Sequence, residues 1–235
     1  MVKRFLKGAF RANPSKPRYK FTWDPAIVLQ YIESMGPNER MNIEQLGKKL
    51  LTLLALTTAH RVQTFSLIKT ENIIQGSTEI QILIPDTIKT SNPNNFQPIL
   101  RVPFYDENVN IYVGRTLLQY LKQTKDIRVT NELFITHKKP HRRASTQTLS
   151  RWIKEILRKS GIDTNKYKAH STRHASTSAA NRAGVNLDEI RKTAGWTEKS
   201  VVFAKFYNRS LVNISKLKDT LNIYQFDHVV KRREV

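Results

Sequence analysis

Cysteine is absent from the 235 residues. This excludes a disulfide framework and every zinc site built on thiolates, and it fits a reducing compartment. Carboxylates are scarce: 19 Asp+Glu stand against 40 Lys+Arg, a formal net charge of +21. So large an excess repels itself in a compact chain unless a polyanion relieves it, which makes a nucleic-acid backbone the natural partner. Long apolar runs are missing too. The longest, LLTLLALTT from Leu50, is too short and too polar-flanked to span a bilayer. The amino end MVKRFLKGAF lacks the apolar stretch and small-residue cleavage site of a signal peptide. No basic amphipathic helix with an aromatic face points to a membrane surface. The expectation is a soluble, intracellular protein with no membrane partner, acting in the nucleus if its host is eukaryotic. The basic end VVKRREV would suit nuclear import.

What is present is enough for a core: 39% hydrophobic and 9% aromatic residues. The first twenty residues are basic and carry Pro14 and Pro17, which predicts an arm or linker without periodic structure. AIVLQYIESMG reads as a short helix closed by Gly36. In MNIEQLGKKLLTLLALTTAH, Asn42 and Gln45 form a capping-box pattern, and Ile43, Leu46, Leu50, Leu53 and Leu54 recur at helical spacing. This predicts a core helix ending near Ala59-His60-Arg61. EIQILIPD alternates Ile80, Ile82 and Ile84, and QPILRVPF gives a second extended run. They predict a small antiparallel sheet whose polar connection carries Lys89. Helical periods return in NIYVGRTLLQYLKQTK and in TLSRWIKEILRKSGI, the latter stopped by Gly161. Two more helices follow, one from Ser171 to Arg182 closed by Gly184, the next with Asn186 as N-cap and Glu189 as its capping-box partner. The carboxy-terminal stretch has helical spacing from Leu211 onward. The fold class is therefore mainly α with a small antiparallel β-sheet, an α+β domain.

Six histidines remain as metal ligands, but none forms an HExxH spacing. His170 and His174 are four residues apart with no carboxylate close by in sequence, so no metal is expected. Metal-free transfer of a phosphodiester has other requirements. It needs cations to hold the phosphate, a nucleophile in line and an acid for the leaving oxygen. Arginine suits the first task because its planar fork binds two phosphate oxygens and keeps its charge. Tyrosine suits the second, and lysine or histidine the third. Arg61 follows the core helix, Lys89 sits on the strand connection, and His170 and Arg173 occupy a first helical turn, where free N–H groups favour an anion. Trp196 offers an indole N–H, and Tyr207 comes eleven residues later. Each residue alone has an ordinary structural explanation, as a dipole partner, a cap or a core aromatic. The set and its order carry the case.

That set resembles a family. AHSTRHASTSAANRAGVNLDEIRKTAGW followed by FYNRS is similar to the carboxy-terminal motif block of the tyrosine recombinase, or phage integrase, family. TTAHRVQTFSLIKTENI resembles that family's first arginine box. FTWDPAIVLQYI and the Trp in AGW are closest to recombinases of eukaryotic DIRS-like and Crypton-like mobile elements. The resemblance implies a catalytic domain over residues 21–210, between an arm at 1–20 and a tail at 211–235 for protomer contacts. It implies a double-stranded DNA partner, a synaptic tetramer, no small-molecule substrate and no cofactor. Tyr207 would form a covalent 3′-phosphotyrosyl bond, with Arg61 and Arg173 clamping the non-bridging oxygens. Lys89 would protonate the leaving 5′-oxygen, His170 assist proton transfer, Trp196 donate to the phosphate, and His174 support the helix.

Three departures stand against it. Thr64 occupies a place where the family has Asp or Glu, and Trp196 and Tyr207 lie two residues farther apart than the usual spacing. Only about twenty residues, basic in balance, precede the catalytic-type domain, where the family carries a helical DNA-gripping domain. A DNA-binding relic of the same fold and a type IB topoisomerase are the alternatives.

Overall fold

The computed structural model describes residues 2–13, 16–89, 91, 97–104, 108–196 and 207–211. Helices α1 (Val2–Ala12), α2 (Pro25–Ser34), α3 (Ile43–Thr58) and α4 (Val62–Phe65) come first. Strands β1 (Ile73–Gln75), β2 (Glu79–Leu83) and β3 (Ile99–Pro103) follow, then helices α5 (Val113–Thr124), α6 (Thr146–Lys159), α7 (Ser171–Arg182) and α8 (Leu187–Thr193). The architecture is mostly helical with one small sheet, the expected α+β class.

Helix α3 is the axis. Asn42 accepts from the Gln45 backbone N–H at 2.9 Å while the Gln45 side chain accepts from the Asn42 N–H at 3.1 Å, closing the capping box. Leu46, Leu50, Leu51, Leu53 and Leu54 are all buried because α5, α6, α7 and β3 pack around this one helix. Gly47 permits the close approach: a Cβ there would meet Tyr120 of α5 at 3.2 Å and Trp152 of α6 at 3.5 Å. Two lysines enter this interior with partners. Lys48 lies between Glu44, at 2.5 Å, and Glu155 of α6, at 2.6 Å. Lys49 donates to the Gly36 carbonyl that ends α2, at 3.2 Å, and burial pushes its pKa down to about 8.

The sheet has the order β1-β2-β3, antiparallel throughout. Ile80 pairs with Val102 and Ile82 with Leu100, so one face is buried apolar and the alternate residues look outward. Its edge strand β1 is an addition to the sequence reading, three residues being too short to show alternation.

Two local readings need correction. Residues 2–12 form a helix rather than an irregular arm, because Pro14 and Pro17 fall beyond its end and break nothing inside it. Asn186 does cap α8, but it accepts from the Asp188 N–H at 2.8 Å instead of sharing a reciprocal box with Glu189. This is the shorter, two-residue side-chain turn open to asparagine. The expected helix from Leu211 onward and the segment just before Tyr207 lie outside the described residues.

Asn42→Ala should cost about 1 kcal/mol by removing the cap of the central helix, and Asn42→Ser much less. Urea midpoints at constant m-value measure this.

Candidate active site

The site grows from the end of α3. Ala59 takes a left-handed conformation, φ 51 and ψ 23, and so turns its carbonyl toward α7, where it accepts from Nη1 of Arg173 at 2.8 Å. The same turn buries His60 and sets Arg61, half-buried, at the start of α4. The backbone of Thr193, at the end of α8, lies close enough to the His60 ring to favour its charged form. That ring also lies against Gly195, where φ is 64 and an added Cβ would sit 2.7 Å from it. His60 thus joins the arginine turn to the turn that presents Trp196.

Helix α7 supplies the rest. His170, Arg173 and His174 fall at its first turn and Ser178 one turn further, so His170, His174 and Ser178 share a face at four-residue intervals. All three touch Tyr207, each at a different level. His170 Nε2 is 2.9 Å from the tyrosine hydroxyl. The His174 ring stacks on the phenol ring at 4.2 Å and 17°. Ser178 Oγ donates to the Tyr207 carbonyl at 2.6 Å. Trp196 meets the other side of the phenol ring edgewise, 4.8 Å between centroids.

Arg173 is 1% exposed, and Trp196 covers its guanidinium at 4.2 Å while the Tyr207 ring lies 5.5 Å away. Nη1 is spent on Ala59, but Nε and Nη2 are buried without a hydrogen-bond partner. The Tyr207 hydroxyl favours the guanidinium charge without making a well-formed hydrogen bond to either nitrogen. Burial, and then the charge of Arg61, push the Arg173 pKa down to about 9. The histidines answer the same field. Burial first, then the neighbouring cations, and at His174 the adjoining His170 ring ahead of those cations, take His170 down to about 4, His174 to about 3 and His60 to about 3, so all are neutral at pH 7. Those cations are Arg61, Arg173, Arg18, Lys89 and Arg209. Among the described residues no ion pair holds Arg18, Arg61, Lys89 or Arg173. A buried, half-satisfied guanidinium in a field of like charge is a seat for an anion.

Of the residues singled out in the sequence, Arg61, His170, Arg173, Trp196 and Tyr207 therefore converge, in spite of the longer gap before the tyrosine. Lys89 stands exposed on the turn after β2, near enough for its charge to act on His170. Thr64, in α4, is buried. Among the described residues no group of three or more His, Asp or Glu could hold a metal, and no helix is long and apolar enough to cross a membrane.

Four contributors escaped the sequence reading. Arg18 adds its charge at His170 and His174. Tyr19 packs edge-on against His174 at 4.9 Å. Both lie about 150 residues from α7, where no local pattern reveals contact. His60 reads as a neighbour of Arg61 and nothing more. Ser178 shows a signal only in its four-residue spacing from His170 and His174.

Two arginines, a histidine, an indole and a buried tyrosine thus gather at one point of a mainly helical domain, with a small antiparallel sheet beside it. The phage integrase family model matches residues 32–213, and the chain belongs to that family. Solved structures agree on the fold. The site-specific recombinase XerH bound to difH substrate, in a pre-cleavage complex, superposes with TM-score 0.63 at 15% identity, over 89% of this chain and 54% of that one. The XerA recombinase gives 0.58 at 18% identity, over 92% and 67%. A lambda integrase dimer bound to a COC′ core site gives 0.52 at 18%, over 86% and 51%. The chain thus spans about half the length of XerH and of lambda integrase. A comparison with curated proteins returns no match.

Two measurements test the geometry. His60, His170 and His174 take a proton near pH 3–4 when folded but near 6.5 when unfolded. The unfolded chain therefore holds more protons in between, and stability is lost as pH falls through that window. The depressed carboxylates Glu44, Glu132 and Glu155 act only below about 4.5, so the interval above it isolates the histidines. Going from pH 7 to 5 should cost on the order of 2 kcal/mol per histidine, seen as a lower urea midpoint. Gly195→Ala should press on His60 and strain a positive φ, destabilising by at least about 1 kcal/mol, or roughly 2–4 °C in Tm.

Proposed function

We propose that the chain cuts and rejoins double-stranded DNA at specific sites through a covalent 3′-phosphotyrosyl intermediate. Tyr207 Oη attacks the scissile phosphorus while the bond from phosphorus to the 5′-oxygen breaks. With His170 in the tautomer protonated at Nδ1, its Nε2 accepts the phenolic proton across the 2.9 Å hydrogen bond. Neutral His170 suits that task at pH 7. Arg173, through Nε and Nη2, and Arg61 receive the non-bridging oxygens, whose charge grows in the transition state. Trp196 holds the Arg173 guanidinium from above and is assigned the indole donor to the phosphate. Lys89, on its exposed turn, gives a proton to the departing 5′-oxygen. A new 5′-hydroxyl reverses the steps, and the phosphotyrosyl bond conserves the energy needed to rejoin.

One observation carries this reading. The buried guanidinium of Arg173 keeps Nε and Nη2 without a hydrogen-bond partner, with Tyr207 beside it and the charge of Arg61 close by. An exposed basic hairpin with Lys138, Lys139, Arg142 and Arg143 extends the positive surface for a DNA backbone. Assembly as a tetramer on DNA belongs to the same proposal, supported by the likeness of fold to a lambda integrase tetramer bound to a Holliday junction. So does service to a DIRS-like or Crypton-like mobile element in a nucleus, which rests on FTWDPAIVLQYI and the Trp of AGW.

The test is a nicked suicide duplex that loses its 5′-hydroxyl strand after cleavage. The unaltered chain should accumulate a protein–DNA adduct that Tyr207→Phe abolishes. Arg173→Ala should slow adduct formation by about 10²–10³-fold, the cost of losing one preorganised donor. Salt-sensitive DNA binding with no adduct under any condition would establish instead a DNA-binding relic, the outcome in which Thr64 marks a lost carboxylate. Relaxation of supercoiled plasmid by the monomer would point to a topoisomerase.

A further inference from the structure

The face of α7 that meets Tyr207 also holds Ser178, which neither moves a proton nor binds the phosphate in the chemistry above. Ser178 is 0% exposed. Its Oγ donates to the Tyr207 carbonyl at 2.6 Å and accepts from the Arg209 N–H at 3.0 Å. A hydroxyl is the smallest side-chain group that can donate and accept at one point, and here both capacities go to backbone on either side of the same short turn. The other bonds that tie this segment down are weaker or farther out. Asn181 reaches Asn208 at 3.3 Å and Arg182 reaches the Arg209 carbonyl at 3.2 Å, both in solvent. Thr22 donates to the Ser210 carbonyl at 2.9 Å, three residues past the tyrosine.

Tyr207 is therefore gripped at both ends from a single helix: the hydroxyl by His170, the main chain by Ser178, with His174 stacked on the ring between. A helix face is rigid over two turns, so the distance between these grips is fixed. The phenol is a long lever, and a small slip of the main chain at Tyr207 becomes a larger displacement of its oxygen. We propose that Ser178 is a positioning residue that sets where the Tyr207 hydroxyl stands relative to the phosphate seat of Arg173. It acts through the backbone of residues 207–209 and contacts neither DNA nor the reacting atoms. The proposal rests on Tyr207 being the nucleophile.

Ser178→Ala removes the hydroxyl with almost no change of volume, and Ser178→Thr restores it. With the suicide duplex, Ser178→Ala should form adduct about 10–100-fold more slowly, the scale expected of a misplaced reacting group. Its DNA affinity should stay within about twofold, because no DNA-facing charge is lost. The Thr variant should recover most of the rate. Hydrogen exchange of the Arg209 amide, which donates to Ser178 Oγ, gives a readout independent of catalysis. It should quicken in the Ala variant and return toward the unaltered rate in the Thr variant. An Ala variant that forms adduct within twofold of the unaltered rate overturns the proposal. So does loss of DNA binding in proportion to loss of cleavage, or unchanged exchange at Arg209. If the unaltered protein forms no adduct, the phosphoryl-transfer reading falls, and Arg209 exchange alone decides whether Ser178 pins the segment.

Discussion

A guanidinium is buried at Arg173 with two of its three nitrogens, Nε and Nη2, unpartnered, and the structure around it follows from keeping it there. Among the described residues no carboxylate pairs with it. It is held by the Ala59 carbonyl at 2.8 Å and by the indole face of Trp196 at 4.2 Å. Both supports attract the cation without neutralising it. An ordinary buried salt bridge would satisfy the charge and leave nothing for a ligand. Holding the cation by a carbonyl and a π-face keeps Nε and Nη2 available, at a cost in stability that the large core around α3 absorbs. The left-handed turn at Ala59 and the positive φ at Gly195 are the backbone features that bring those two supports to one place.

The same electrostatic surroundings assign the neighbours their states. Histidines in a field of arginines and under burial remain neutral, so His170 can accept a proton and His174 can stack flat against a phenol ring without bringing further charge. The site is also tied to a distant part of the chain. Trp23 donates its indole N–H to Ser171 at 2.9 Å, and Tyr19 packs against His174. Thr22 bridges to Leu211 just beyond the tyrosine. The stretch before α2 thus contacts both the start of α7 and the chain just after Tyr207.

Much of this was legible in the sequence where the physics is local. The Asn42–Gln45 box, the leucine spacing of α3, the alternation of Ile80 and Ile82, and the stops at Gly36, Gly161 and Gly184 depend on neighbours within a few residues. The site residues were legible as a motif, since Arg61, His170, Arg173, Trp196 and Tyr207 keep a recognisable order. What stayed hidden depends on tertiary contact. The histidine faces of Tyr19 and Arg18 arrive from the far end of the chain, and His60 gains meaning only against Gly195. The three-residue strand β1 has no period to read. Helix α1 was hidden by prolines that lie outside it. Despite the eleven-position spacing from Trp196 to Tyr207, the least family-like in the sequence, the tyrosine hydroxyl stands 2.9 Å from His170 Nε2.

The central claim is that the open side of the Arg173 guanidinium holds a DNA phosphate while Tyr207 becomes bonded to it. Mass spectrometry of the protease-digested adduct from a nicked suicide duplex tests this most directly. The account predicts a single modified peptide in which Tyr207 carries a 3′-phosphate-linked nucleotide. A nucleotide attached to any other residue, a 5′-phosphate linkage at Tyr207, or no covalent species at all would contradict it.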